Sequence, residues 1–247
     1  MKEESLLTDD HLLGGRVRYT QPRSGQRASL DPVLLAAAVP ARAGDAVLDA
    51  GTGAGAALLC LAARVPGVFG AGLDHDPALL RLARANAAGN GWPDLSFVLA
   101  DLARCPIGGP IDHAFANPPY HEAGGTPSPS LEREDARRGA PGLISIWAAA
   151  LARPLRHRGT VTFILPPGLL EAAIVGLRAA HAPVERVLPI WPKAGHAARF
   201  LLVRGRKHGK SPLIFRPGLI LHDGAGAFLP EAEAVLRHGA ALDLDAV

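Results

Sequence analysis

The sequence predicts an α/β fold built on a mostly parallel sheet with helices on both faces. Three observations predict it. Ala46-Val47-Leu48-Asp49-Ala50 is a short, nearly all-apolar run, the mark of a strand buried on both sides of a parallel sheet. It passes straight into Gly51-Thr52-Gly53-Ala54-Gly55 and then a helical stretch, Ala56 to Arg64. Strand-like and helical segments then alternate along the chain, and several of the strands end on an acidic residue.

The bulk properties suit one large domain. The chain has 247 residues, 48% of them hydrophobic, with a formal net charge of +3. That charge permits an anionic partner without demanding one. Cys60 and Cys105 stand far apart, in no metal-like spacing, which points to a reducing cytoplasm and no bound metal. The opening residues have no apolar h-region, and the longest apolar run, Val33 to Ala41, is too short to span a bilayer. A cytoplasmic protein without membrane association is expected.

Residues 1–15 read as a loose arm. Arg16 to Pro22 alternates as an edge strand or hairpin arm would, and it carries Arg16 and Arg18, with Arg23 and Arg27 beyond. Ser29-Leu30-Asp31-Pro32 opens a helix from Val33 to Val39. Asp31 is either part of its cap or a contact to a ligand in the crevice. The glycine turn satisfies a dinucleotide pattern through Ala56, yet Asp49 would repel a pyrophosphate there and suits an ammonium group. Asp49, Gly51, Gly53 and Gly55 therefore fit a nucleoside with an amino-acid tail.

The second strand, Val68 to Leu73, ends at Asp74-His75-Asp76-Pro77. Asp74 is placed to take both hydroxyls of a ribose. His75 either packs on an adenine face or is an exposed loop histidine, and Asp76 caps the helix begun by Pro77. The third strand, Leu95 to Ala100, ends at Asp101-Leu102, where a carboxylate can accept from an adenine amine and a leucine can cover the ring. The alternative is an ordinary aspartate after a strand. The fourth strand, Ile111 to Ala116, ends at Asn117-Pro118-Pro119-Tyr120. The prolines leave carbonyls without local donors, Asn117 adds an acceptor and Tyr120 adds a ring. Such a turn can grip a planar amino group; it can also be a simple helix-breaking turn.

Residues 121–142 form an irregular segment with Arg133, Arg137 and Arg138, a substrate lid or a solvated loop, before a helix from Leu143 to Leu155. Thr160 to Leu165 is the fifth strand, followed by a helix to His181. Val184 to Ile190 and Arg199 to Val203 read as a closing pair. Arg204-Gly205-Arg206-Lys207-His208-Gly209-Lys210 is the densest basic run, a phosphate contact or a soluble turn. Residues 211–247 read as an appended strand and a helix from Pro230 to Arg237.

With these motifs in order the chain resembles the class I methyltransferases that use S-adenosylmethionine. More closely, it is similar to the bacterial family that methylates N6 of an adenine next to the anticodon of a valine tRNA. The resemblance runs through nearly the whole chain, including RYTQPRSGQRASLDPVLLAA and NPPYHEAGG. It implies a Rossmann-like seven-stranded sheet of order 3-2-1-4-5-7-6, strand 7 antiparallel. Residues 1–42 would be an arm and leading helix, 43–210 the cofactor-binding domain, and 211–247 an extension packed on it. Asp31, Asp49, Gly51, Gly53, Gly55, Asp74, His75, Asp101, Leu102 and Asn117 would bind S-adenosylmethionine, leaving S-adenosylhomocysteine. Asn117, Pro118 and Tyr120 would carry the reaction, with an RNA, most simply a tRNA, as partner. Three other readings stay open: a protein glutamine N5-methyltransferase, a cofactor-binding subunit without catalysis, and a nicotinamide oxidoreductase.

Overall fold

The computed structural model describes residues 6–23, 28–119 and 141–246. In chain order these form β1 (Leu7–Leu12), β2 (Val17–Pro22), α1 (Asp31–Ala38), β3 (Ala46–Ala50), α2 (Ala56–Arg64), β4 (Phe69–Asp74), α3 (Pro77–Gly89), β5 (Ser96–Leu99) and β6 (Ile111–Ala116). Then follow α4 (Pro141–Ala152), β7 (Leu155–Leu165), α5 (Leu170–Ala179), β8 (Val184–Lys193), β9 (Phe200–Arg206), β10 (Ile214–Phe215), β11 (Leu219–His222) and α6 (Pro230–His238).

The central sheet has nine strands, ordered β10-β8-β9-β7-β6-β3-β4-β5, with β11 also on β8. From β5 to β8 this is the expected seven-stranded order. β9 runs antiparallel to both its neighbours, and every other pair is parallel. The two additional strands come from the tail, which reads as a single strand in sequence; β10 has only two residues, too few for a periodic signal.

Alternate residues of each strand feed two cores. Phe115 and Ile164 pack with α1, α2 and α3 on one face. Ala114, Ala116, Phe163 and Leu165 pack with α4 and α5 on the other. Burial on both faces is why the carboxyl ends of these strands, Ala114-Phe115-Ala116 and Phe163-Ile164-Leu165, are wholly apolar. The tail closes the first face: α6 meets α1, and the Leu242 N–H donates to the Ala37 carbonyl at 2.9 Å.

The N-terminal arm is not loose from Leu7 onward. β1 pairs with β2 in a separate two-stranded sheet. The outer edge of β2 is bound by Asn86 of α3 and by Asn90, the residue just after that helix. Thr20 N–H donates to Asn86 Oδ1 at 2.9 Å, and Asn86 Nδ2 returns a bond to the Thr20 carbonyl at 2.9 Å. Arg18 and Asn90 repeat the exchange at 2.9 and 2.7 Å. The match is geometric: four helical residues rise about 6 Å, close to the span of two strand residues.

The first half of the densest basic run is turned inward. Arg204 and Arg206 lie in β9 and share Glu185 of β8, and Arg204 is 1% exposed. The Lys207 ammonium donates to the Ala152 carbonyl. These cations are occupied by the fold, so Arg204 and Arg206 serve neither as the phosphate contact nor as the soluble turn that the run allowed. Among the described residues, no helix is long and apolar enough to cross a membrane.

Candidate active site

The chain leaves β3 toward β4 and β5 and returns to β6 on the other side. The switch point lies between β3 and β6, and a crevice opens beyond the carboxyl ends of strands at such a point. Here it is a cleft of about 470 Å³. Asp49 and the Gly51–Ala54 turn come from β3, Asp74 to Asp76 from β4, and Asn117 and Pro119 from β6. Tyr19 and Gln21 of the hairpin, Asp31 of α1 and Trp147 of α4 complete the wall.

The floor holds two buried carboxylates. Asp49 is 2% exposed and accepts from the Thr52 hydroxyl at 2.7 Å. Burial pushes its carboxyl up to about 7; the Thr52 bond opposes this, and the negative charge of Asp74 adds to it. Asp74 is held by backbone amides: Gly53 N–H donates to one oxygen at 2.8 Å and Asp76 N–H to the other at 2.9 Å. The glycine turn is thus anchored on the carboxylate that ends the next strand. Gly51 has φ +67°, and its Cα lies against Trp147.

The opposite wall is formed by Asn117 and Asp31. The Asn117 amide nitrogen donates to the Asp31 carboxylate, whose other oxygen accepts from Ser29. The Asn117 amide oxygen is buried and has no partner among the described residues. An unpaired buried acceptor is costly and is retained where it awaits a donor.

The structure brings Asp31, Asp49, Gly51, Gly53, Asp74, His75 and Asn117 to one cleft. Gly55 stands beside it, as the residue that begins α2. Asp31 is the first residue of α1 and makes no capping bond; its carboxylate faces Asn117. The His75 side chain is 77% exposed, 3.4 Å from Asp74. Asp101 and Leu102 lie outside the cleft wall. Asp101 is exposed and accepts from the Ala103 N–H at 2.9 Å, and Leu102 packs against the α4 and α5 core. Pro118 is buried behind the wall. Tyr120 and the arginines at 133, 137 and 138 fall outside the described residues.

Sequence reading missed Tyr19, Gln21, Thr52 and Trp147 as cleft residues. Thr52 had a signal, since it sits within the glycine turn. Tyr19, Gln21 and Trp147 had none, because only the fold brings them there.

Residues 47–128 match the methyltransferase domain family. A crystal structure of a predicted O-methyltransferase from Agrobacterium tumefaciens superposes with a TM-score of 0.72. The superposition covers 87% of this chain and 100% of that one, at 24% identity, which shows a shared fold. Residues 47–128 thus carry a methyltransferase domain, within the fold of the class I methyltransferases. The methyl donor of the class is S-adenosylmethionine, and the cleft fits it. Two buried carboxylates ask for cationic and hydroxyl partners, and this donor carries an ammonium, a sulfonium and a ribose. Among methyltransferases of known reaction, the chain is 28% identical to the tRNA1(Val) (adenine(37)-N6)-methyltransferase of Shewanella amazonensis over 182 residues. That match covers 72% of this chain and 77% of the relative. It is 41% identical to the release factor glutamine methyltransferase of Bradyrhizobium diazoefficiens over 86 residues, 35% of this chain. This chain spans only 29% of that second methyltransferase.

Proposed function

We propose that the protein transfers a methyl group from S-adenosylmethionine to N6 of an adenine in structured RNA, a tRNA in the cytoplasm. The unpartnered amide oxygen of Asn117 carries the reading. It is an acceptor fixed in the wall of a cofactor cleft, and an amino group is the donor that suits it.

Each residue then has a role. Asp49 accepts from the ammonium of the methionine tail, and Asp74 accepts from the ribose hydroxyls. Gly51, Gly53 and Gly55 let the backbone approach the cofactor. His75 stands at the rim, on the adenine side, and Asp101 and Leu102 lie beyond it, outside the cleft wall. Asn117 Oδ1 and the Pro118 carbonyl accept the two N6 hydrogens, and Tyr120 stacks on the base once it leaves its helix. S-adenosylmethionine supplies an electrophilic methyl group carried on a sulfonium. The adenine nitrogen is a poor nucleophile because its lone pair is delocalised into the ring. Two acceptors on its hydrogens favour the pyramidal form, in which that pair is free; they stabilise the charge that develops on nitrogen as the methyl carbon–sulfur bond breaks, and the surplus N6 proton leaves to water.

Glutamine is the second reading, because its amide also presents a planar NH2 and the Bradyrhizobium relative acts on glutamine. The breadth of the Shewanella match favours adenine: it spans most of both chains, and the glutamine match spans about a third of each. Methyl-labelled S-adenosylmethionine with total tRNA, total rRNA or a protein extract tests the two. Label recovered as N6-methyladenosine from tRNA is the expected result. Label recovered as N5-methylglutamine from protein overturns the RNA reading.

A further inference from the structure

Asp31 is 9% exposed, lines the cleft and opens α1. Both its oxygens have donors, the Ser29 hydroxyl on one and the Asn117 amide nitrogen on the other. An ionised carboxylate has nothing to donate, so only the NH2 end of an amide can face it. The carbonyl end of Asn117 is thereby turned away from Asp31, and it is the buried atom without a partner. The two ends of an asparagine amide are nearly identical in shape, so packing alone does not choose between them. Toward an incoming amino group they are opposites: the oxygen accepts its hydrogens, and the nitrogen repels them.

We propose that Asp31 is a positioning residue that fixes the rotamer of Asn117 so that its amide oxygen faces the acceptor amino group. This rests on the reading of Asn117 as the group that meets that amine. It gives Asp31 a task distinct from the cofactor contact expected from sequence.

Three variants test it. Asp31→Ala frees the amide to turn over. Asn117→Asp sets two carboxylates face to face. The exchange Asp31→Asn with Asn117→Asp restores an NH2-to-carboxylate contact, and a carboxylate at position 117 has no wrong end. Each single variant is expected to lose at least about tenfold in kcat, with S-adenosylhomocysteine affinity within about threefold of the parent. The exchange is expected to exceed both singles by roughly tenfold or more. A merely structural role for Asp31 does not produce that reversal. An exchange no better than the singles overturns the proposal, as does an Asp31→Ala protein whose cofactor affinity falls in step with kcat.

A second readout needs no acceptor. In ¹⁵N-labelled protein the side-chain amide protons of Asn117, assigned by their loss in Asn117→Asp, should be shifted downfield and slow to exchange. Both signs should vanish in Asp31→Ala. If they are unchanged there, the proposal fails. If the parent methylates protein glutamine instead of RNA, the adenine reading falls and the same kcat pattern on glutamine still decides this one. If no supplied acceptor is methylated, the resonances decide it alone.

Discussion

Gly51 and Trp147 are packed so closely that a Cβ on the glycine would stand 2.7 Å from the indole Cη2. The first turn of the cofactor loop therefore rests on a side chain from α4, on the far side of β6. Gly51 also has φ +67°, which costs a residue with a side chain about 1–2 kcal/mol. Gly51→Ala should lower stability by roughly 2–4 kcal/mol, strain and overlap together, and weaken S-adenosylhomocysteine binding. Combining it with Trp147→Phe should recover part of the loss and no more, because the strain remains. Thermal unfolding and calorimetric titration of the three proteins would check this; full recovery would show that the dihedral carries no cost.

With Asp49 at the cofactor's ammonium, as proposed, its raised carboxyl should make binding depend on pH. In the unfolded chain it titrates near 3.8, and in the folded protein at about 7. Between those values the folded state holds a proton that the unfolded state has released. This group's contribution to stability is thus complete below the lower value and is lost as pH rises through the upper one. A cationic ligand must displace that proton. Affinity for S-adenosylmethionine should climb by up to about one log unit per pH unit below pH 7 and level off above it. Titrations in buffers of different ionisation enthalpy should show proton release at pH 6, and Asp49→Asn should abolish it. A flat profile in the parent protein would remove Asp49 from the cofactor's ammonium.

Asp74 and Asp101 end adjacent strands and look alike in sequence, yet the fold treats them differently. Asp74 is 6% exposed, inside the cleft, and held by two backbone amides. Asp101 is exposed, outside the cleft wall, and bonded to its own turn. A hydrogen bond to a buried charge contributes about 1.5–3 kcal/mol, so Asp74→Ala should weaken S-adenosylhomocysteine binding by roughly 10- to 100-fold. Asp101→Ala should weaken it distinctly less, because water competes for an exposed carboxylate. Equal losses in the two variants would place the adenine further out along β5 than the enclosed cleft reaches.

These contrasts mark where sequence was informative. Local chemistry was legible: strand, glycine turn and helix around Asp49, the Asp76-Pro77 helix start, and the acidic strand ends. Each is written in a few consecutive residues. What was hidden depends on contacts between distant segments. Trp147 reads as a core residue of an apolar helix, and nothing near it names Gly51. Asp31 has the spacing of a helix cap, and only the packing of α1 on the sheet brings it to Asn117. Arg204 and Arg206 look like a basic surface because their partner, Glu185, lies on another strand.

Asn86 is the clearest of these hidden contacts. It is 5% exposed on α3, and its one amide serves three backbone groups: the N–H and carbonyl of Thr20 and, at 3.0 Å, the carbonyl of Ala54. It therefore ties the hairpin to the helix and both to the glycine turn. Asn86→Ala would leave buried polar groups unpaired, at about 1–3 kcal/mol for each one that water cannot reach. Because Tyr19 and Gln21 line the cleft from β2, loosening the strand should also weaken the cofactor. The expected result is faster amide exchange across Val17–Gln21, a lower Tm and several-fold weaker S-adenosylhomocysteine binding. Asn90→Ala supplies the control, since Asn90 bonds the same strand at Arg18 and the Asn86 carbonyl but, among the described residues, makes no hydrogen bond to the glycine turn or to residues 20 and 21. It should speed exchange at the near end of β2 and leave cofactor affinity almost unchanged. If both variants weaken binding equally, the hairpin acts on the cleft as one rigid piece, and the link from Asn86 to Ala54 contributes nothing of its own.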